Sequence, residues 1–253
     1  MKEVMKQAAI FVLKFLPVMI VAGAFVGIYS FDTFDKEVQN QIIDQIGSYK
    51  LLIVVASVQT VIFSSVCGFI GYILSVKVNL MRKLKFKKEA LTKTLIITLI
   101  CGILFSLDYW IFGAFIPKVA TLYETNTTIA SLIGSALYGG IIEEILMRLF
   151  LMSLFVYIIW KVIYRNKTKE EIPMSVYIIA NIITALLFAA GHLPATINIF
   201  GQLTPLLIIR CFVLNGGFGL VFGWLYTKYG IQYAMVSHMG LHIISKLIWT
   251  IFI

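Results

Sequence analysis

The stretch Leu51–Val76, LLIVVASVQTVIFSSVCGFIGYILSV, contains no charged residue. A helix of about 20 apolar residues is long enough to cross the hydrocarbon core of a bilayer, so this stretch predicts a transmembrane helix. Strands of membrane β-barrels alternate apolar and polar residues with a period of two, and this continuous apolar run does not. The fold class that the stretch indicates is therefore an all-α membrane protein.

Similar apolar stretches recur along the whole chain and predict a polytopic transmembrane bundle of about seven to eight helices. The predicted spans are about 8–29, 51–76, 94–116, 129–160, 174–192, 205–226 and 231–251. The fourth is too long for one perpendicular crossing, so it is expected to be either one tilted helix or a helix that bends at Gly139-Gly140. The prediction treats residues 1–253 as a single transmembrane domain.

Composition supports a lipid environment. Hydrophobic residues make up 60% of the 253 residues and charged residues only 13%, about half the charged fraction that is usual for a soluble domain. The net charge of +9 comes from basic residues concentrated in loops, seven of them in 77–93 and four in 161–169. Cytoplasmic loops of membrane proteins collect Lys and Arg, so we predict a multi-pass protein of the cell membrane with a cytoplasmic N-terminus, and no nucleic-acid partner.

Four basic residues lie inside the predicted spans, where a charge is costly. Lys14 and Lys246 are expected to extend their side chains towards the membrane interface. Arg210 is expected to pair with a carbonyl or with Asp108. The acidic connector 31–50 is predicted to contain a short amphipathic helix at the interface.

The run Gly139-Gly-Ile-Ile-Glu-Glu-Ile-Leu-Met-Arg148 places two adjacent carboxylates inside a span. Residues four apart share a helix face, so Glu144 is expected to pair with Arg148. Glu143 points about 100° away from Glu144 and is left available for proton transfer. The alternative is that all three form a structural polar cluster.

All three histidines of the chain lie in or at the end of apolar spans. His192 ends the run Phe188-Ala-Ala-Gly-His192, whereas His238 and His242 stand four apart on one face of the last span. Imidazoles act as general acids and bases, oxyanion donors or metal ligands. We predict that the side chains of His192 and His238 converge with that of Glu143 within hydrogen-bond or one-water reach.

Three motifs follow one another, each in its own span: E-E-x-x-x-R at 143–148, F-x-x-x-H at 188–192 and an H-x-x-x-N-like element at 238–242. Together with the glycine-rich run 216–226, they resemble the CPBP family, the CAAX-protease and bacteriocin-processing (ABI) family of intramembrane endopeptidases. The resemblance covers about 131–245 and implies a catalytic core within 129–251. It also implies that the helical bundle encloses a polar intramembrane cavity that is open to one side of the membrane.

The resemblance also implies a mechanism. Glu143 would activate the attacking water with help from His192, and His238 and the residue at position 242 would stabilise the oxyanion. Glu144 and Arg148 would hold the site in shape. The substrate would be a hydrophobic or lipidated peptide, of CAAX type or a bacteriocin-like precursor.

The last motif departs from the family, because His242 stands where Asn is usual. A neutral imidazole donates one hydrogen bond in place of the amide, so hydrolysis is expected to survive and no cofactor to be required. The departure also leaves an alternative open, a zinc-dependent protease with Glu143, His192, His238 and His242 as ligands.

Two non-proteolytic alternatives remain at this point. One is a bacteriocin-immunity or scaffold membrane protein that retains the fold without the activity. The other is a proton-coupled transporter that uses Glu143 and the histidines as a relay.

Overall fold

The computed structural model of the chain describes residues 1–34, 36–125 and 128–253, and within these ranges it contains helices and no β-strand. Seven helical segments of this described part are long and apolar enough to cross a membrane, which confirms the predicted polytopic helical bundle. They are Lys2–Asp32, Tyr49–Lys77, Lys88–Ile111, Ile129–Ile163, Met174–Phe200, Pro205–Tyr229 and Ile231–Phe252.

The α-helices that build these segments and their connections are numbered in chain order. They are α1 Lys2–Asp32, α2 Lys36–Ile46, α3 Tyr49–Lys77, α4 Lys88–Ser106, α5 Asp108–Ile111, α6 Pro117–Thr125, α7 Ile129–Gly134, α8 Ser153–Ile163, α9 Met174–Gly191, α10 Leu193–Phe200, α11 Pro205–Cys211, α12 Phe218–Tyr229 and α13 Ile231–Phe252. Lys169–Glu171 forms one 3₁₀ turn.

Within the described residues three stretches are π-helical: Ser135–Glu143, Ile145–Met152 and Phe212–Gly217. The first two join α7 to α8 in one long segment, and the third joins α11 to α12. The wider π-helix is rare, and the π-helical turns that occur inside α-helices are frequently at functional sites. The chain thus departs from α-helical geometry in the segment that carries Glu143, Glu144 and Arg148.

The distribution of side chains is that of a protein solvated by lipid. Large apolar residues such as Val58, Ile62 and Leu99 are exposed, whereas Ser64, Thr94 and other small polar residues are buried between helices. Interfaces between membrane helices favour small residues, because such residues let two backbones approach closely and hydrogen-bond inside the protein.

Local signals define where several helices begin and end. The Ser48 side chain accepts a hydrogen bond from the backbone N–H of Leu51 at the start of α3. The Thr204 side chain accepts one from that of Leu207 at the start of α11, whose first residue is proline. Gly230 separates α12 from α13 with a φ of 117°. This left-handed conformation suits glycine and lets the last helix turn back into the bundle.

The part of the bundle that contains Glu143 and the three histidines is called the site-bearing half. Helix α13 lies at its centre, where it packs against α4 and the π-helical stretch Ser135–Glu143. A Cβ atom at Gly140 would lie 2.7 Å from the Cα atom of Met239. Glycine at this crossing therefore allows the histidine-bearing helix to approach the carboxylate-bearing one more closely than any other residue would.

One detail of the predicted spans is corrected, and one predicted helix is found. The fifth span does not end at His192: α10 follows at once and extends the segment to Phe200, because Pro194 occupies its first turn, where proline is tolerated. The connector 31–50 contains the predicted short helix as α2, whereas Asp35 lies outside the described residues.

The two ends of the bundle are clearly different. At one end the basic loop 78–87 contacts the neighbouring helices: Arg82 donates to the Thr227 carbonyl and Gln232 donates to those of Lys83 and Lys85. At the opposite end lie the last residues of α1, α6 and α10.

Candidate active site

A cavity of about 380 Å³ lies inside the site-bearing half. Glu143, His192, His238 and His242 line one part of it. The cavity extends from there to Thr33 and other residues at the end of the bundle opposite the basic loops, including Phe34, Leu122 and Phe200. The polar groups predicted to act together thus face one shared space within the membrane-spanning helices.

Glu143 stands between two histidines. Its Oε1 atom lies 3.8 Å from Nε2 of His192, and its Oε2 atom lies 3.9 Å from Nε2 of His238. Both separations are longer than a direct hydrogen bond, which joins such atoms at about 2.7–3.2 Å. Each separation leaves the polar atoms facing each other at a distance that a bound water or a substrate atom can bridge.

Glu144 is fully buried and faces away from Glu143 into the protein. Its Oε1 atom accepts hydrogen bonds from Nη1 of Arg148 at 2.9 Å and from Nδ1 of His238 at 2.8 Å. Arg148 is itself only 1% exposed and donates from Nη2 to the carbonyl of Gly219 at 3.0 Å. The expected Glu144–Arg148 pair is therefore present, and it anchors one of the histidines.

Aromatic rings enclose this buried network. The Phe222 ring stacks on that of His238, with centroids 4.3 Å apart and an interplanar angle of 18°. The Arg148 guanidinium lies 4.9 Å from the centroid of Phe188 and 5.5 Å from that of Phe222. These contacts attract the cation electrostatically and restrict the imidazole to one orientation.

Hydrogen bonding defines which nitrogen of each histidine faces the cavity. Nδ1 of His192 lies 2.8 Å from the carbonyl oxygen of Phe188, which can only accept, so Nδ1 carries the proton and Nε2 faces Glu143. Nδ1 of His238 likewise donates to the carboxylate of Glu144. In both residues Nε2 is the atom that is left for chemistry.

His242 completes the cluster one helical turn beyond His238. The two imidazole rings stack, with centroids 5.1 Å apart, and the edge of the Phe105 ring packs against His242. A Cβ atom at Gly139 would lie 2.8 Å from Nε2 of His242 and 3.4 Å from Nε2 of His238. Glycine at position 139 is thus what makes room for both rings.

The structure therefore brings together the six residues singled out from the sequence: Glu143, Glu144, Arg148, His192, His238 and His242. Sequence reasoning missed the stacking of Phe222 on His238 and the close approach at Gly139. Phe222 lies in the glycine-rich run 216–226. An aromatic residue among glycines, which let helices pack closely, is the sequence signal that could have indicated a ring enclosed at the site.

A second buried ion pair lies near the far end of the cavity. Nη2 of Arg210 lies 2.5 Å from Oδ2 of Asp108, and Nε donates to both carboxylate oxygens. The Tyr123 hydroxyl also donates to Asp108. The expectation that Arg210 pairs with Asp108 is confirmed, and Arg210 is therefore neutralised within the protein.

The same geometry bears on the zinc alternative. In the described ranges, no group of three or more His, Cys, Asp or Glu side chains has an arrangement that could hold a metal ion. Nδ1 of His192 and of His238 is engaged by Phe188 and Glu144, an arrangement that metal-ligating histidines also show. Only the Nε2 atoms face Glu143, and each lies nearly 4 Å from it.

Comparison with known proteins agrees with this geometry. Residues 125–244 match the family model described as type II CAAX prenyl endopeptidase Rce1-like. Neither the curated proteins nor the solved structures contain a significant match to the chain. The matched region includes all six clustered residues. Segment 125–244, slightly less than half of the chain, is therefore similar to type II CAAX prenyl endopeptidases, in agreement with the motifs that resemble the CPBP family.

Proposed function

We propose that the protein is an endopeptidase that hydrolyses an amide bond of a hydrophobic or lipidated peptide, of CAAX type or a bacteriocin-like precursor, with a water activated by Glu143. The observation that carries the proposal is the position of the Glu143 carboxylate, 3.8 and 3.9 Å from two imidazole Nε2 atoms in a cavity shielded by helices. A carboxylate in this position can take a proton from a water and direct its oxygen at a carbonyl.

His192 would assist the same water. Its protonated Nδ1 is held by the Phe188 carbonyl, so Nε2 is directed at the space next to Glu143. A water between the two groups can hydrogen-bond to both, and this fixes its attacking lone pair. Glu143 would later pass the proton to the leaving amine.

His238 would stabilise the oxyanion. Since its Nδ1 already donates to Glu144, donation from Nε2 requires an imidazolium with Glu144 as counter-ion. The negative charges of Glu143 and Glu144 are then balanced by the positive charges of Arg148 and this imidazolium. A net charge of zero is the favoured balance for these four groups in a site of low dielectric. His242, stacked on His238, is the second donor in this proposal.

The proposal needs no metal or other cofactor. Metal analysis of purified protein, together with activity in the presence of a chelator, tests this point. A stoichiometric metal whose removal abolishes cleavage would favour the zinc alternative over activation of water by Glu143 alone.

The orientation proposed from the basic loops places loop 78–87 and the N-terminus in the cytoplasm. The cavity then extends towards the non-cytoplasmic side of the cell membrane, since its lining residues Thr33 and Phe34 lie at the other end of the bundle.

The decisive experiment is Glu143→Gln, which keeps the size of the side chain and removes the base. Wild type and variant are reconstituted in liposomes with a farnesylated CAAX peptide and with an unmodified hydrophobic peptide, and products are identified by mass spectrometry. We expect cleavage by the wild type and a loss of at least about 100-fold in the variant. Glu170→Gln, in the exposed loop 164–173, is the matched control.

Equal cleavage by wild type and Glu143→Gln would refute the glutamate mechanism. Absence of cleavage by both, with retained binding of the peptide, would favour the immunity or scaffold alternative. Uptake that responds to a pH gradient and depends on Glu143 would favour the transporter.

A further inference from the structure

Four basic residues lie inside the predicted spans, and three of them have an evident way to tolerate a charge in the membrane. Lys14 is exposed on the surface of α1, Arg148 pairs with Glu144, and Arg210 pairs with Asp108. Lys246 is the exception. It is 8% exposed, so the expectation that it extends to the interface is wrong.

The described residues around Lys246 include polar and aromatic groups but no counter-ion. Nζ lies 3.2 Å from Oγ of Ser131 and 5.5 Å from the ring centroid of Tyr29. Among the described residues, no carboxylate oxygen lies within 4.0 Å of this ammonium group. A buried charge without a counter-ion is costly, and inside a membrane it usually serves a function.

Lys246 also lines the same cavity as Glu143 and the histidines. It follows His238 and His242 at successive steps of four residues along α13, so all three lie on one side of that helix. Eight residues of α-helix rise about 12 Å. An extended peptide covers about 3.3–3.6 Å per residue, so three to four residues span from the histidines to Lys246.

We propose that Lys246 binds the free C-terminal carboxylate of the peptide substrate and so defines how far from that terminus the chain is cleaved. This inference rests on the proposed function and deepens it. A carboxylate at Nζ would supply the missing counter-ion. It would also place an amide bond three to four residues upstream beside Glu143.

The test measures binding and not turnover, so it does not depend on the catalytic role of Glu143. Full-length Glu143→Gln protein is placed in phosphatidylcholine nanodiscs. Two fluorescent hydrophobic heptapeptides of one sequence, one with a free C-terminal carboxylate and one with a C-terminal amide, are titrated by anisotropy. We expect the carboxylate form to bind roughly 10- to 100-fold more tightly, as for hydrogen bonds to a charged partner.

Adding Lys246→Met should bring the two affinities within about twofold of each other, whereas Lys246→Arg should keep most of the preference. Lys14→Met is the matched control, because it removes an exposed charge from another span, and it should leave the preference intact. The carboxylate-to-amide comparison on protein with Lys246 intact needs no folded Lys246 variant.

Equal affinity for the two peptides, or a preference that persists in Lys246→Met, would overturn the proposal. A lipid phosphate is the other source of an anion. Absence of the preference, together with Lys246-dependent retention of phosphatidylglycerol in native mass spectra, would assign the site to a headgroup and likewise overturn it. Peptide cleavage by the wild type is scored separately, so either idea can fail alone.

Discussion

Glu144→Gln and Glu143→Gln make the same chemical change at adjacent positions, and the structure predicts opposite consequences. Glu144 is fully buried and accepts from Arg148 at 2.9 Å and from His238 at 2.8 Å. Glu143 keeps 19% of its side chain accessible within the cavity and lies at least 3.8 Å from the two histidine nitrogens with which it pairs.

The magnitude follows from what each change leaves behind. Glutamine at position 144 removes the counter-ion of Arg148, which is 1% exposed. Breaking a buried pair on one side costs about 3–5 kcal/mol of folding free energy, because the remaining charge stays buried. At about 2–4 °C per kcal/mol for a chain of this size, the melting temperature should fall by roughly 6–20 °C. Glu143→Gln should change it by no more than about 2 °C.

The assay is thermal unfolding of the two variants and the wild type in one detergent, followed by intrinsic tryptophan fluorescence. The expected pattern is an inactive protein of normal stability for Glu143→Gln and a destabilised one for Glu144→Gln. Equal melting temperatures for all three proteins would refute the assignment of Glu144 as the structural carboxylate. A large fall in the melting temperature of Glu143→Gln alone would instead make Glu143 the structural carboxylate and leave Glu144 as the candidate base.

Three further outcomes follow from the same geometry. Gly139→Ala places a methyl carbon 2.8 Å from Nε2 of His242, so the imidazole ring must shift. The kcat on a peptide that the wild type cleaves should then fall by about 100-fold. An unchanged kcat would contradict the tight fit of the ring against Gly139. His242→Asn should cleave the peptide within about tenfold of the wild-type rate. His242→Leu should be slower by about 100-fold or more, because the second oxyanion donor is lost. Equal rates for the two variants would remove position 242 from the mechanism. In intact cells and a cysteine-free background, an impermeant maleimide should label Lys36→Cys and not Lys83→Cys, and the reverse labelling would invert the proposed orientation.

Several features of the fold were predictable because they depend on local composition. Runs such as Leu51–Val76 require a lipid environment whatever their neighbours are, since no soluble surface could be built from them. The Glu144–Arg148 pair was predictable for a similar reason, because two residues four apart on one helix meet without any tertiary information.

Other features depended on contacts between distant parts of the chain. His192 ends the predicted fifth span, and only the continuation of that segment through α10 to Phe200 shows that it lies within the bundle. The stacking of Phe222 on His238 and the space at Gly139 join residues far apart in sequence. Such contacts are set by packing, which periodicity does not encode.

The sequence by itself determined that the chain is a bundle of membrane helices and which acid and imidazole groups it keeps in lipid, because hydrophobicity and the cost of buried charge are properties of each residue. Only the tertiary structure decided which distant groups surround each of them. It placed Glu143 at the cavity, next to His192 and His238, and it added His238 to Arg148 as a partner of Glu144. It also showed Lys246 buried without a counter-ion among the described residues, where composition had suggested the interface. A charge acquires its role from the groups around it, and those groups come together only when the helices pack.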